Sequence, residues 1–105
     1  MNDLEKSALE KIRESLIKGD PLFPNACCFI AADAVKNNLG YNIVRGSFVL
    51  KGYKNLHYWN ETPDGKIVDL TASQFSQRFP EILITDKNSD CAKTYYYSYI
   101  RDMSL

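Results

Sequence analysis

No charge of either sign predominates in this sequence: 13 Lys and Arg are balanced by 13 Asp and Glu. Without a surplus of positive charge there is little to gather phosphates, so nucleic acid is not an expected partner. Long apolar runs are missing too. None approaches the roughly 20 residues that cross a bilayer, and the stretch Asn2–Lys18 carries charges throughout, where a signal peptide would have an apolar middle. No membrane association is expected, and the cytoplasm is the expected compartment. Cysteine is scarce. Cys27, Cys28 and Cys91 are an odd number of thiols in a chain with no visible secretion signal, which argues for their reduced form. Structural zinc takes four ligands, commonly in spaced pairs, and the adjacent Cys27 and Cys28 are poorly placed to chelate one ion together. No metal or other cofactor is expected. Histidine is scarcer still: His57 is the only one, so any imidazole chemistry must use it.

What is present reads as an ordinary globule. The 105 residues are 45% hydrophobic and 25% charged, with no internal boundary, repeat or low-complexity stretch, so residues 1–105 are expected to form one domain around one core. Asn2 or Asp3 can cap a first helix whose apolar stripe is Leu4, Ala8, Leu9, Ile12, Leu16 and Ile17, ending near Gly19. The segment from Gly19 to Asn25 contains two prolines and no periodicity, and reads as a loop anchored by buried Leu22 and Phe23. A second helix is expected from about Ala26 to Leu39, with Gly40 as a left-handed cap. On its helical wheel Ala31, Ala32, Ala34, Val35 and Leu39 gather around Cys28, while Asp33, Lys36 and Asn37 face away. Cys27 falls toward the margin of that face.

From Tyr41 onward the pattern becomes that of strands: Asn42–Leu50, Leu56–Glu61 and Lys66–Leu70. Thr62-Pro63-Asp64-Gly65 is a hairpin turn, because proline sets its first dihedral and glycine accepts the left-handed position. Thr71 can cap a short helix over Ala72–Arg78, with Gln74 at the capping-box position and Pro80 beyond its end. Glu81–Thr85 can form another strand. The tyrosine-rich segment Cys91–Arg101 satisfies helical and strand patterns in part, and a helix is favoured. Together these elements predict an α+β fold, with the Cys28 helix packed on an antiparallel sheet.

Three residues could carry chemistry. A thiol in the first helical turn feels the positive end of the helix dipole, which stabilises thiolate, and its own N–H points out where it could serve an oxyanion. The plain alternative is a buried structural cysteine, since free Cys packs well. His57 beside Tyr58 and Trp59 could equally be a packed strand residue. Hairpin parity bears on this. If the loop is Pro63-Asp64-Gly65, Thr62 pairs with Lys66, Trp59 lies opposite Asp69, His57 lies opposite Thr71, and all four share one face. Asp69 interrupts the apolar run Ile67-Val68-Leu70, and a buried carboxylate needs a partner. His57 is one candidate; an Asx-type bond to the backbone ahead of Thr71 is the other.

The order Cys, then His-x-Trp, then Asp-x-Thr resembles papain-like and transglutaminase-like cysteine enzymes. More closely, Cys28-(x)3-Ala32-(x)6-Leu39-Gly40, His57-Tyr58-Trp59-Asn60 and Gly65-Lys66-Ile67-Val68-Asp69-Leu70-Thr71-Ala72-Ser73-Gln74-Phe75 are similar to the small bacterial proteins called YunG-like. The resemblance spans about Pro24 to Phe75, and its most specific part is Asp-Leu-Thr-x-x-Gln-Phe. It implies a papain-like/transglutaminase-like fold, with nucleophile Cys28, base His57 and orienting carboxylate Asp69. Asn25, Trp59 and Gln74 are the candidate substrate-binding residues. Cys27 precedes the nucleophile where relatives often have Gly or Gln, so the second oxyanion donor is unassigned, with Asn25 a candidate.

The expected activity is acyl chemistry on a protein, peptide or other amide substrate: thiolate attack, protonation of the leaving amine by His57, and a thioester passed to water or an amine. Peptidase, amidase, deamidase and transglutaminase share those steps. The alternative is a non-catalytic protein-interaction module on the same fold, such as an inhibitor, immunity or phage-encoded binding protein. Redox sensing through Cys27 and Cys28 is a third reading, opposed by the strain of bridging adjacent residues.

Overall fold

The computed structural model of the protein describes residues 1–101, and of residues 91 and 96–101 the backbone alone. Helices α1 (Asp3–Gly19) and α2 (Cys28–Leu39) are followed by strands β1 (Asn42–Leu50), β2 (Tyr53–Glu61), β3 (Lys66–Asp69), β4 (Leu83–Asp86) and β5 (Tyr95–Arg101). The strands form one sheet in the order β4-β3-β2-β1-β5, and every neighbouring pair is antiparallel. This is the expected α+β arrangement. Among the described residues no helix is long and apolar enough to cross a membrane.

α1 starts on a capping box: Glu5 N donates to Asn2 Oδ1 (2.8 Å), and Asn2 N donates to Glu5 Oε1 (3.4 Å). Its buried face is narrower than the apolar stripe. Leu9 is fully buried, whereas Leu4 is 82% exposed and Ile17 is exposed as well. Arg13 takes a place on the buried face, with its guanidinium carbon 5.1 Å from the centre of the Phe23 ring. Phe23 is the loop's partly buried anchor, while Leu22, expected to join it, is 69% exposed. α2 buries Ala31, Ala32 and Val35, and ends where Gly40 takes a φ of 76°.

The two hairpins are tight. Lys51 and Gly52 both have positive φ (52° and 81°), the conformation of a two-residue turn whose twist matches its strands. Pairing therefore runs to Leu50↔Tyr53, and β2 starts earlier than the expected Leu56. In the second hairpin Gly65 N donates to Thr62 O (3.0 Å) and Thr62 N to Lys66 O (2.8 Å), with Gly65 at φ 84°. The register Glu61↔Ile67 and Asn60↔Val68 is the one that parity predicts.

Two expectations from the second half of the chain need correction. The helix over Ala72–Arg78 is a single 3-10 turn, Ala72–Gln74. Its capping box does not form, because Thr71 Oγ1 donates to Asp69 Oδ1 (3.1 Å) and Gln74 Oε1 accepts from Ala26 N (3.4 Å). The tyrosine-rich segment is no helix: Cys91–Thr94 is a 3-10 turn and β5 pairs with β1 from Phe48↔Tyr95 to Ile43↔Arg101. Local periodicity divides evenly there, and the backbone groups on the outer edge of β1 find their partners in β5.

Both faces of the sheet are covered. Under the helices lie Leu9, Ala31, Val35, Tyr41, Val68 and Leu70. On the opposite face Val44, Phe48, Trp59, Ile67, Leu83 and Tyr95 form a second cluster, closed by Phe75 and Phe79 from the irregular stretch after β3. Neighbouring Ile67 and Val68 are thus both fully buried, on opposite faces.

Candidate active site

Asp69 ends β3, and each of its carboxylate oxygens has a separate task. Oδ1 accepts from Thr71 N (2.8 Å) and Thr71 Oγ1, which turns the chain out of the sheet. Oδ2 accepts from His57 Nε2 (2.7 Å) and from Tyr95 OH (2.7 Å). The two readings of Asp69 therefore hold together, one oxygen each. Since a carboxylate only accepts, Nε2 of His57 carries the proton. Both residues are buried, so each charge depends on the other.

Aromatic rings fix the imidazole. Phe75 and Phe48 meet it edge-on, at 4.9 and 5.6 Å between centres, and Trp59 lies nearly parallel to it at 5.9 Å. Trp59 is 1% exposed and backs the imidazole. Tyr95 is not singled out by the sequence pattern; Phe75 closes the Asp-Leu-Thr-x-x-Gln-Phe stretch, which assigns it no role. The available signal for Tyr95 was the carboxylate itself, which has more lone pairs than one imidazole can engage.

The thiol and His57 are carried by opposite faces of the sheet. α2 packs on the face of β2 that carries Tyr58 and Asn60, with Phe29 edge-on to Tyr58 (4.9 Å) and Asn60 Nδ2 donating to Ala32 O (2.9 Å). His57 belongs to the other face. β2 and β3 pair only at Glu61↔Ile67 and Asn60↔Val68; beyond that the strands part. The freed Leu70 carbonyl accepts from Arg13 Nε (3.4 Å), and Thr71 N is held by Asp69, so the gap is built into the structure. Cys28, half-buried at the start of α2, lies near enough to His57 and the Tyr58 N–H to interact with both.

The electrostatics match that placement. Burial pushes the Cys28 thiol up, but His57 and the Tyr58 N–H pull it further down, to a net value below the ordinary one. Burial depresses His57, but Asp69 and Cys28 outweigh it and raise the imidazole to about 9. Both shifts favour thiolate beside imidazolium. Asp69 engages Nε2, which leaves the buried Nδ1 as the ring nitrogen that can exchange a proton with the thiol. Cys27 has the opposite character. Its buried thiol donates to Asn25 O (3.2 Å) and Asp20 Oδ2 (3.3 Å), and burial followed by Asp20 pushes it up. The Cys91 thiol lies outside the described side chains.

The remaining candidates surround the start of α2. The Cys28 N–H, in the first helical turn, makes no hydrogen bond among the described residues and is available to an oxyanion. Gln74 holds Ala26, a residue at φ 59°, by its backbone N–H, and the Gln74 Nε2 is buried without a partner among the described residues. Asn25 is exposed; its carbonyl serves Cys27. Asn25 and Gln74 line a cavity of about 600 Å³ with Arg13, Phe23 and Glu81, and Cys28 is not among its walls.

Fold and grouping define an α+β chain in which a helix-start cysteine faces a buried histidine–aspartate pair. The model of the YunG protein family matches residues 24–102, more than half of the chain, so the protein belongs to that family. No curated protein and no solved structure matches the chain.

Proposed function

We propose that the protein is a cysteine hydrolase or acyltransferase of the papain-like/transglutaminase-like kind, acting on an amide through Cys28, His57 and Asp69. The Cys28 thiolate attacks the amide carbon and forms the C–S bond, while the carbonyl oxygen takes up charge beside the Cys28 N–H. The imidazolium gives its proton to the amide nitrogen as the C–N bond breaks, releasing the amine and leaving a thioester. Water or a second amine then attacks the thioester carbon. Neutral imidazole removes the proton of that nucleophile, the C–S bond breaks, and the product acid or amide leaves thiolate and imidazolium restored. Asp69 stays ionised throughout and holds the ring in the tautomer with Nε2–H.

The observation that carries this reading is the buried His57–Asp69 pair near enough to a helix-start thiol to interact with it. Site-resolved labelling tests it. Brief iodoacetamide treatment of the native protein near pH 6, read by peptide mass spectrometry, is expected to modify Cys28 and spare Cys27. Cys28 left unmodified while Cys27 or Cys91 is labelled would contradict the enzyme and leave the interaction module as the better account.

A further inference from the structure

One edge of β2 is open next to the nucleophile. Along β2 the even-numbered residues turn their N–H and C=O toward β3, as Thr62 N does in donating to Lys66 O, and alternation carries that direction back through Asn60, Tyr58, Leu56 and Lys54. β3 meets only Glu61 and Asn60. From Tyr58 back to Lys54 the edge has no strand partner among the described residues: the Tyr58 N–H is turned to the Cys28 thiol, the outward groups of Leu56 and Lys54 lie beyond it, and the chain that could have continued β3 is tied elsewhere through Leu70 O and Thr71 N. On its other side β2 is paired with β1 along its whole length, which holds this edge straight and extended.

The space beside the edge is open. Lys54, Asn55 and Leu56 are exposed, Leu56 by 60%, and a cavity of about 340 Å³ bounded by Leu50, Tyr53, Asn55, Phe75 and Ser76 adjoins them. The contact of Phe29 with Tyr58 puts the start of α2, and so Cys28, at the inner end of the same edge. An unpaired row of alternating donors and acceptors is a template for another strand. We propose that an extended segment of a polypeptide substrate adds as a strand to the Lys54–Tyr58 edge of β2, and that this pairing delivers its reacting carbonyl to Cys28. The proposal rests on the cysteine-enzyme reading and supplies its substrate class: a polypeptide backbone, bound by its own N–H and C=O groups, in place of a free small amide. Side chains of the added strand alternate, one row toward the cavity at Tyr53 and Phe75, the other toward exposed Leu56 and Phe29.

Two alkylating reagents with the same reactive group separate the possibilities: chloroacetone, and an acetyl-capped Ala-Ala-Leu-Gly chloromethyl ketone, from each of which the thiolate displaces chloride to form a C–S bond. At one pH the peptide reagent is expected to modify Cys28 about tenfold faster or more, the effect of one or two backbone hydrogen bonds. N-methylation of its amides one at a time should abolish the advantage at alternate positions only, the signature of strand pairing. Leu56→Pro, which removes one outward N–H without touching the bonds to β1, should bring the ratio of the two rates toward one; this ratio corrects for any general change in Cys28 reactivity. Ready reaction with chloroacetone and no peptide advantage, or an advantage insensitive to N-methylation, overturns the strand proposal while the enzyme reading stands. Inertness of Cys28 to both reagents overturns the two together. A dimer in sedimentation that dissociates in Leu56→Pro also overturns it, because the edge would then belong to a second copy.

Discussion

At the scale of the residue, the site depends on how Asp69 divides its four accepted hydrogen bonds. Two define the turn at Thr71 and two hold His57 and Tyr95, so one side chain both turns the chain at the end of β3 and orients the imidazole. Asp69→Ala should therefore cost about 3–5 kcal/mol in urea unfolding, the penalty for breaking a buried pair from one side. Tyr95→Phe should cost about 1.5–3 kcal/mol, since the lost bond was to a charged acceptor. The histidine adds a pH dependence. Its value rises from 6.5 to about 9 on folding, so its pairing stabilises the fold fully below about 6.5 and loses that effect as pH climbs through about 9. The difference in unfolding free energy between wild type and Asp69→Asn should accordingly narrow across that interval. A difference constant from pH 6 to 10 would show that His57 is not charged in the native protein.

At the scale of the element, hairpin parity was legible because it needs only a count. Pro63 and Gly65 specify the turn, an odd loop puts His57, Trp59 and Asp69 on one face, and the structure has that register. The helix carrying Cys28 was legible for a similar reason, its alanines and Gly40 being local signals. What was hidden depends on contacts distant in sequence. Thr71 and Gln74 have the composition of a capping box, but their side chains are engaged by Asp69 and Ala26, so no helix grows. The tyrosines of β5 become a strand because β1 lies open beside them, and Tyr95 entered the site only through that pairing. The docking of α2 on β2 can be tested on its own. Asn60 Nδ2 donates to Ala32 O and also to Tyr41 O (3.4 Å), joining the helix and its following turn to the strand. Asn60→Ala should lower stability by about 1–3 kcal/mol and slow Cys28 alkylation, because the helix start loses its fixed distance from His57. Unchanged alkylation with lowered stability would mean that the packing around Ala31, Ala32 and Val35 alone fixes the thiol.

At the scale of the whole molecule, the two covered faces of one sheet carry different parts of the proposed site. The helical layer carries Cys28 and the aromatic layer carries His57, and β2 pairs with β3 at Glu61↔Ile67 and Asn60↔Val68. A buried Trp59 sits behind the histidine, and Cys27, one residue away from Cys28, is turned toward Asp20, which together with burial favours its protonated form. In the proposed mechanism Cys28, His57 and Asp69 act as one electrostatic unit. The most direct test is the pH profile of Cys28 alkylation in the wild-type and Asp69→Asn proteins, followed from pH 4 to 10 by peptide mass spectrometry. The wild type should stay reactive well below the ordinary thiol range, because imidazolium holds the thiolate, and Asp69→Asn should lose that acid-side reactivity while reacting normally at high pH. Two superimposable profiles, both rising only as an ordinary thiol ionises, would contradict the account.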